Sequence, residues 1–392
     1  MGSALQESLQ KRLQELKAAG LYRRSRSVES RPDGKCVIDG RELLNFGSND
    51  YLGLAHDPRV CEAFAAVARR QAGSTASSLI VGRSPYHAAL EERLAAFEEC
   101  DAALLYPTGF AANLGTIQAL VRPEDHVFSE QENHASLIDA IRGSKVPVSI
   151  YRRDRLDELC EAIERRRPTF AHGYIVTDGV FSMDGTVAPM QELCDLAERF
   201  DLAVIVDEAH GTGVLGDRGR GACEHSGMQQ GPFVHVGTLS KAVGCLGGFA
   251  AGSRDTIEWL RNRARPQFFS TALPPAVCAA ALQSLEIIEA EPERRMTLRQ
   301  LNEEARGCAR SLGLSVCGDG PAPIIPVLMP ETVDLPAMSQ QLQQEGWFVP
   351  AIRPPTVPQG SSRFRISLTV DHRPQDIQAL LERIAELANR FM

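Results

Sequence analysis

Four short stretches hold residue types that could do chemistry together. In "TLSKAVGCLGG", residues 238–248, Lys241 is the sole charge in a run of small and apolar residues. In "LAVIVDEAHG" a strand-like apolar run ends on Asp207, and His210 follows three residues later. In "PTGFAANLG" an apolar run gives way to Gly109 and Phe110 at the start of a helical pattern, where backbone N–H groups and the helix dipole suit an anion. In "NHASL" His134 stands beside small residues.

Each stretch alone has a plain structural reading. Most lysines are solvated, Asp207 can cap the turn after it, and a loop histidine is more often satisfied by its surroundings than used. Asp207, Glu208, Ala209 and His210 also spell the DEAH box of a helicase, but that motif needs an upstream GxxxxGK[ST] loop and the sequence holds none. The combination is more specific. An anion-binding helix start, a histidine ring, a strand-end carboxylate and a lysine in a glycine-rich loop meet the needs of pyridoxal phosphate. The lysine bonds the aldehyde, the aspartate keeps the pyridine nitrogen protonated so that the ring withdraws electrons, and the helix start takes the phosphate.

These residues all follow apolar runs. The middle of the chain repeats a short apolar run, a loop and a helical pattern in "AALLYPTGFAANLGTIQAL", "DHVFSEQENHASLIDAI", "GYIVTDGVFSMDG", "LAVIVDEAHG" and "FVHVGTLSKAVG". That alternation predicts an α/β fold with a largely parallel sheet covered on both faces, and a site in the loops at the strands' carboxyl ends. Leu5, Leu9, Leu13 and Leu16 predict an amphipathic N-terminal helix whose apolar stripe packs on the body. "KCVIDGRELLNF" predicts a hairpin turning at Asp39-Gly40, and a mainly helical stretch is predicted from Pro58 to Phe97. After Pro274-Pro275 a long helix, the runs "IIPVLM", "WFVPAI" and "FRISLT" and a last helix predict a smaller C-terminal α/β domain. The expected division is an N-terminal segment 1–57, a large domain 58–280 and a small domain 281–392.

With 43% hydrophobic and 23% charged residues, the 392-residue chain suits a globular protein of two domains. Its net charge of −8 argues against nucleic acid or an anionic membrane as partner, so the basic clusters "YRRSR" and "ERRRP" read as solvated faces. Ten cysteines without a CxxC pair or zinc-type spacing predict reduced thiols, no metal site and a cytoplasmic protein. Polar residues interrupt the N-terminal apolar pattern, which excludes a signal peptide or membrane span there.

Over essentially its whole length the sequence resembles the α-oxoamine synthases of pyridoxal phosphate fold type I. The matching stretches are "LNFGSNDYLGL", "YPTGFAANLG", "NHASL", "TDGVFSMDGTVAP", "VDEAHGTGVLGDRGRG", "GTLSKAVGCLGG" and "FSTALPPA". The resemblance implies a transferase whose large domain is built on a mainly parallel seven-stranded sheet. It implies Lys241 as the Schiff-base lysine, Asp207 as partner of the pyridine nitrogen, His134 as the ring-stacking residue, and His210 and Ser182 near the ring's phenolic oxygen. Gly109, Phe110 and Thr238 would hold the phosphate with Ser270 and Thr271 of a neighbouring subunit, giving a homodimer with shared sites. Arg365 would bind the amino acid carboxylate, Arg23 and Thr356 would line the acyl substrate path, and Asn49 would lie near the substrate. The ending "AIRPPTVPQGSSRFRISLT" is similar to members that join L-alanine to a pimeloyl thioester on coenzyme A or a carrier protein. A glycine-using sibling reaction and a catalytically silent binding subunit are the alternatives. Two departures concern substrate preference: "AGSTASSLIVGRS" stands where many members have a "GSGGSR"-like run, and Asp178 stands where some have Glu.

Overall fold

The apolar runs become one seven-stranded sheet in the computed structural model, which describes residues 2–23, 25–228 and 233–391. Its strands are Ala102–Tyr106, His126–Glu130, Val148–Tyr151, Gly173–Asp178, Leu202–Asp207, Phe233–Thr238 and Gly248–Gly252. Named by first residue, they lie in the order 102, 248, 233, 202, 173, 126, 148. Strands 233 through 148 run parallel, and strand 248 is antiparallel to both its neighbours. Strand side chains alternate between faces, and both faces are covered: Ile205 packs with Leu137 and Ile257, while Val204 and Val206 pack with Leu159 and Leu193. Two-sided burial explains why these strands read as continuous apolar runs.

Register then gathers polar residues at one end of the sheet. Asp178 lies opposite Asp207, Asp207 opposite Val236, and Thr238 opposite Gly248. A second sheet orders Ile324–Leu328, Arg363–Ser367 and Ala351–Ile352, all antiparallel, with helices Leu335–Gln344 and Pro374–Phe391 in the same region. The helix Pro275–Ala290 runs across residue 280, and its Leu285 and Ile288 share one core with Phe249 of the large sheet and Ile366 of the small one. The N-terminal hairpin forms as the sequence predicts: Ile38 pairs with Arg41 across Asp39 and Gly40, whose φ values of 52° and 76° suit a tight two-residue turn. Trp347–Phe348 joins this hairpin in parallel.

The mainly helical stretch from Pro58 to Phe97 forms as two helices, Pro58–Ala68 and Pro85–Phe97. Between them, Ser, Thr and Gly compete with helical bonding; Thr75 sits at φ 59°, Ser77 bridges to Thr271, and Ala272 N donates to Ala76 O at 3.0 Å. The N-terminal helix Ser3–Ala18 forms but buries no residue, so its apolar stripe does not pack on the body. Gly20 at φ 67° turns the chain at its end, and Leu13 and Leu16 face a groove instead of a core.

The sheet's central packing gives a direct test. A Cβ on Gly237 would lie near the ring of Phe249, which is fully buried in the core, and the ring cannot move away without displacing its neighbours. Gly237→Ala is expected to destabilise the protein by about 1–3 kcal/mol, read as a lower midpoint in denaturant unfolding.

Candidate active site

At the carboxyl end of the parallel strands lies a cavity of about 290 Å³. It brings together eight residues singled out in the sequence: Gly109, Phe110, His134, Ser182, Asp207, His210, Thr238 and Lys241. One end is built for an anion. The helix Gly109–Leu120 begins there, and the Thr108 hydroxyl accepts from Ala111 N at 3.0 Å. That cap leaves the N–H groups of Gly109 and Phe110 without a protein partner among the described residues. Glycine is needed behind this turn, because a Cβ on Gly248 would lie 2.6 Å from Gly109 N and from Thr108 O. Thr238 closes the same end; its hydroxyl donates to Gly247 O at 2.9 Å, and Ser240 N donates back to it at 3.2 Å.

The carboxylate of Asp207 is fixed on both oxygens. Ala209 N donates to Oδ1 at 2.8 Å, and Asn113 Nδ2 donates to Oδ2 at 2.5 Å and to Ser136 Oγ at 2.9 Å. Asn113 is a site residue that the motif reading missed. Its signal was present in "GFAAN", four residues after Gly109 and therefore on the same helix face. The neighbouring strand supplies Asp178, whose carboxyl is pushed well above the usual range by burial and by the charge of Asp207.

His134 caps the helix Ala135–Ser144, its Nδ1 accepting from Ser136 N at 3.3 Å while its own N–H donates to Asp178 Oδ1 at 3.2 Å. With Nδ1 an acceptor, the ring proton sits on Nε2. The protein around His134 strips enough water to lower its pKa, a shift that Asp207 opposes and Lys241 reinforces. Burial, then Lys241, Arg365 and His134, hold the pKa of His210 far below that of free imidazole, so this ring is neutral. Its Nδ1 lies 2.7 Å from Tyr51 Oη, which in turn donates to Asn49 Oδ1 at 3.2 Å. That contact ties His210 to the Tyr51 hydroxyl. Lys241 Nζ forms no ion pair among the described residues; burial lowers its pKa, Asp207 and Asp178 raise it, and Arg365 lowers it again.

The remaining sequence candidates lie outside this cavity. Arg365 is buried behind it, donating from Nε to Ser182 O at 2.5 Å and from Nη1 to Ser367 Oγ at 2.7 Å and Asn49 Oδ1 at 3.3 Å. Thr356 and Arg23 line a separate groove. Ser270 and Thr271 do not line the cavity of their own chain; Thr271 is exposed beside Ser77.

The family model for aminotransferase class I and II matches residues 41–384. The chain belongs to this family. Among curated relatives, 8-amino-7-oxononanoate synthase 2 of Bacillus subtilis is 44% identical over 376 residues, 95% of each chain. The 8-amino-7-oxononanoate synthase of Methylococcus capsulatus is 46% identical over 376 residues, 95% of this chain and 96% of that one. A serine palmitoyltransferase from S. paucimobilis, solved with a bound PLP–myriocin adduct, superposes with a TM-score of 0.90 at 28% identity, covering 98% of this chain and 97% of that one.

The electrostatics of this aminotransferase-family site give a pH prediction. Reductive methylation of Lys241, followed by mass spectrometry in the cofactor-free protein, is expected to show a midpoint below the ordinary lysine value of 10.5. Asp207 raises the Lys241 pKa, so Asp207→Asn should move that midpoint lower still. A midpoint that rises in the variant would contradict the assigned pairing.

Proposed function

We propose that this protein is a pyridoxal-phosphate-dependent 8-amino-7-oxononanoate synthase, condensing L-alanine with a pimeloyl thioester in biotin biosynthesis and releasing CO2 and a free thiol. The observation that carries this reading is the unpaired Lys241 amine in one cavity with a doubly held Asp207 and an anion-binding helix start. Relatives 41–46% identical over nearly the full chain, named for that reaction, support the choice of substrates.

The residues present fit the cofactor. The free N–H groups of Gly109 and Phe110, with Thr238, suit its phosphate; the fixed carboxylate of Asp207 suits its ring nitrogen; Lys241 Nζ suits its aldehyde. When bound, pyridoxal phosphate supplies an aldehyde that bonds amines and a protonated ring that withdraws electrons from bonds at the amino acid Cα. The protein does the rest. Asp207 would hold a proton at the ring nitrogen, His134 would stack on the ring, and Ser182 and His210 would face the phenolic oxygen. Arg365 would meet the amino acid carboxylate, with Asn49 fixing the same guanidinium. Lys241 Nζ, with its pKa lowered, takes the Cα proton. A C–C bond then forms between Cα and the thioester carbonyl as the thiol leaves, the carboxylate departs as CO2, and Lys241 returns a proton to Cα.

The working unit in this reading is a homodimer with shared sites. Ser270 and Thr271 lie outside their own cavity, and Leu79, Ile80, Val81 and Phe269 stand 68%, 72%, 76% and 66% exposed near the same surface. Such an apolar patch calls for a partner. Replacing Leu79, Ile80 and Val81 together by serine is expected to give monomers in sedimentation analysis and to abolish turnover. All ten cysteines are free, which suits the reducing cytoplasm.

The deciding experiment supplies L-alanine, glycine and L-serine separately with pimeloyl-CoA and measures product and CO2 by mass spectrometry. Alanine is expected to give the amino ketone, and Lys241→Ala to lose roughly a hundredfold to ten-thousandfold in rate. Product from glycine in place of alanine would overturn the assigned reaction.

A further inference from the structure

Four buried side chains from separate elements meet away from the lysine cavity, and none of them lines it. Glu208 follows the strand that ends on Asp207, Cys223 lies in the short helix Ala222–His225, and His235 belongs to the strand Phe233–Thr238. A carboxylate oxygen, the sulfur and a ring nitrogen of these three lie within 4.8 Å of one another. Glu98, just after the helix Pro85–Phe97, is the fourth member, with Oε2 at 3.9 Å from His235 Nδ1.

Packing alone leaves Glu98 unexplained. Its side chain is fully buried, and neither carboxyl oxygen has a hydrogen-bond partner among the described residues. The 3.9 Å contact with His235 is too long for a hydrogen bond. Arg220, whose charge acts on Glu98, is held instead by Glu99 Oε2 at 2.5 Å and Glu224 Oε1 at 3.5 Å. Burial and then the charge of Glu208 push the Glu98 carboxyl well above the usual range, so the two acids crowd each other. Glu208 accepts from Ala222 N at 2.8 Å and Cys223 N at 3.1 Å, which fixes its carboxylate and leaves lone pairs for a further partner. Buried acids grouped in this way call for a cation. Oxygen, nitrogen and sulfur donors in one cluster suit zinc. At zinc bond lengths of about 2.0–2.3 Å, tetrahedral ligands stand roughly 3.3–3.6 Å apart, so small side-chain movements bring this set to bonding distance.

We propose that Glu98, Glu208, Cys223 and His235 bind one structural zinc ion through four protein ligands, with no open position for a substrate. The ion ties the strand that ends on Asp207 to the strand that leads to Lys241, and both to the end of the helix Pro85–Phe97. It has no part in the condensation proposed above, and the two readings stand or fall separately. The sequence carries no zinc spacing because its donors lie far apart in the chain and only the fold gathers them.

The test equilibrates the full-length holoenzyme with zinc sulfate, removes the excess by gel filtration and counts bound metal by plasma mass spectrometry. One zinc per chain is expected in wild type and in the control Cys61→Ser, whose thiol is exposed. Cys223→Ser and Glu98→Gln are expected to weaken zinc by at least roughly tenfold to a hundredfold in competition with a chromophoric chelator, the loss that follows even from removing an outer partner of a metal ligand. X-ray absorption at the zinc edge of wild type keeps the test independent of how well the variants fold. It should show one sulfur at about 2.3 Å and nitrogen or oxygen at about 2.0–2.2 Å. Less than one tightly held zinc per chain, a coordination shell without sulfur, or unchanged affinity in the folded variants would overturn the proposal, leaving adventitious surface zinc only.

Discussion

A carboxylate held at the end of a buried parallel strand organises this molecule. The buried oxygens of Asp207 need hydrogen-bond partners, and the fold supplies them from two directions: the turn after its own strand through Ala209, and the first turns of a separate helix through Asn113. The same helix presents its free N–H groups to the cavity. One element therefore places the anion site and the carboxylate at a fixed separation, which a rigid two-ended cofactor requires.

That charge also sets its neighbours. Asp178, opposite in register, is pushed toward its protonated form, so the pair carries less negative charge than two carboxylates would. Lys241 is drawn two ways, burial favouring the neutral amine and Asp207 the cation. His210 is held neutral by burial and nearby cations. These states come from side chains on several strand-end loops, and none of them is set by its immediate sequence neighbours.

The site was legible in the sequence wherever a motif lay at a strand end. Gly109, His134, Asp207 and Lys241 each follow an apolar run, and a parallel sheet must bring such ends to one side. Asn113 was missed because an asparagine inside a helical pattern is unremarkable until its face is known. Long-range partners were equally hidden: nothing local to Tyr51 indicates His210, 159 residues away, and nothing near Asn49 indicates Arg365, 316 residues away. The misjudged packing of the N-terminal helix and the break before Pro85 have the same origin. The Leu stripe of residues 5–16 has helical period, which fixes the helix but not what its apolar face meets, and the Ser/Thr-rich segment before Pro85 depends on its bridge to Thr271.

By itself the sequence determined the α/β class, the parallel core, the Asp39-Gly40 hairpin and the residue types of the site, because periodicity and turn chemistry act over a few neighbouring residues. Tertiary structure alone decided which groups hold the oxygens of Asp207, that His210 meets Tyr51, and that Arg23 and Thr356 share a groove with Leu13 and Leu16. Those outcomes depend on burial and on contacts between residues far apart in the chain, and both exist only once the strands have paired and the helices have closed over them.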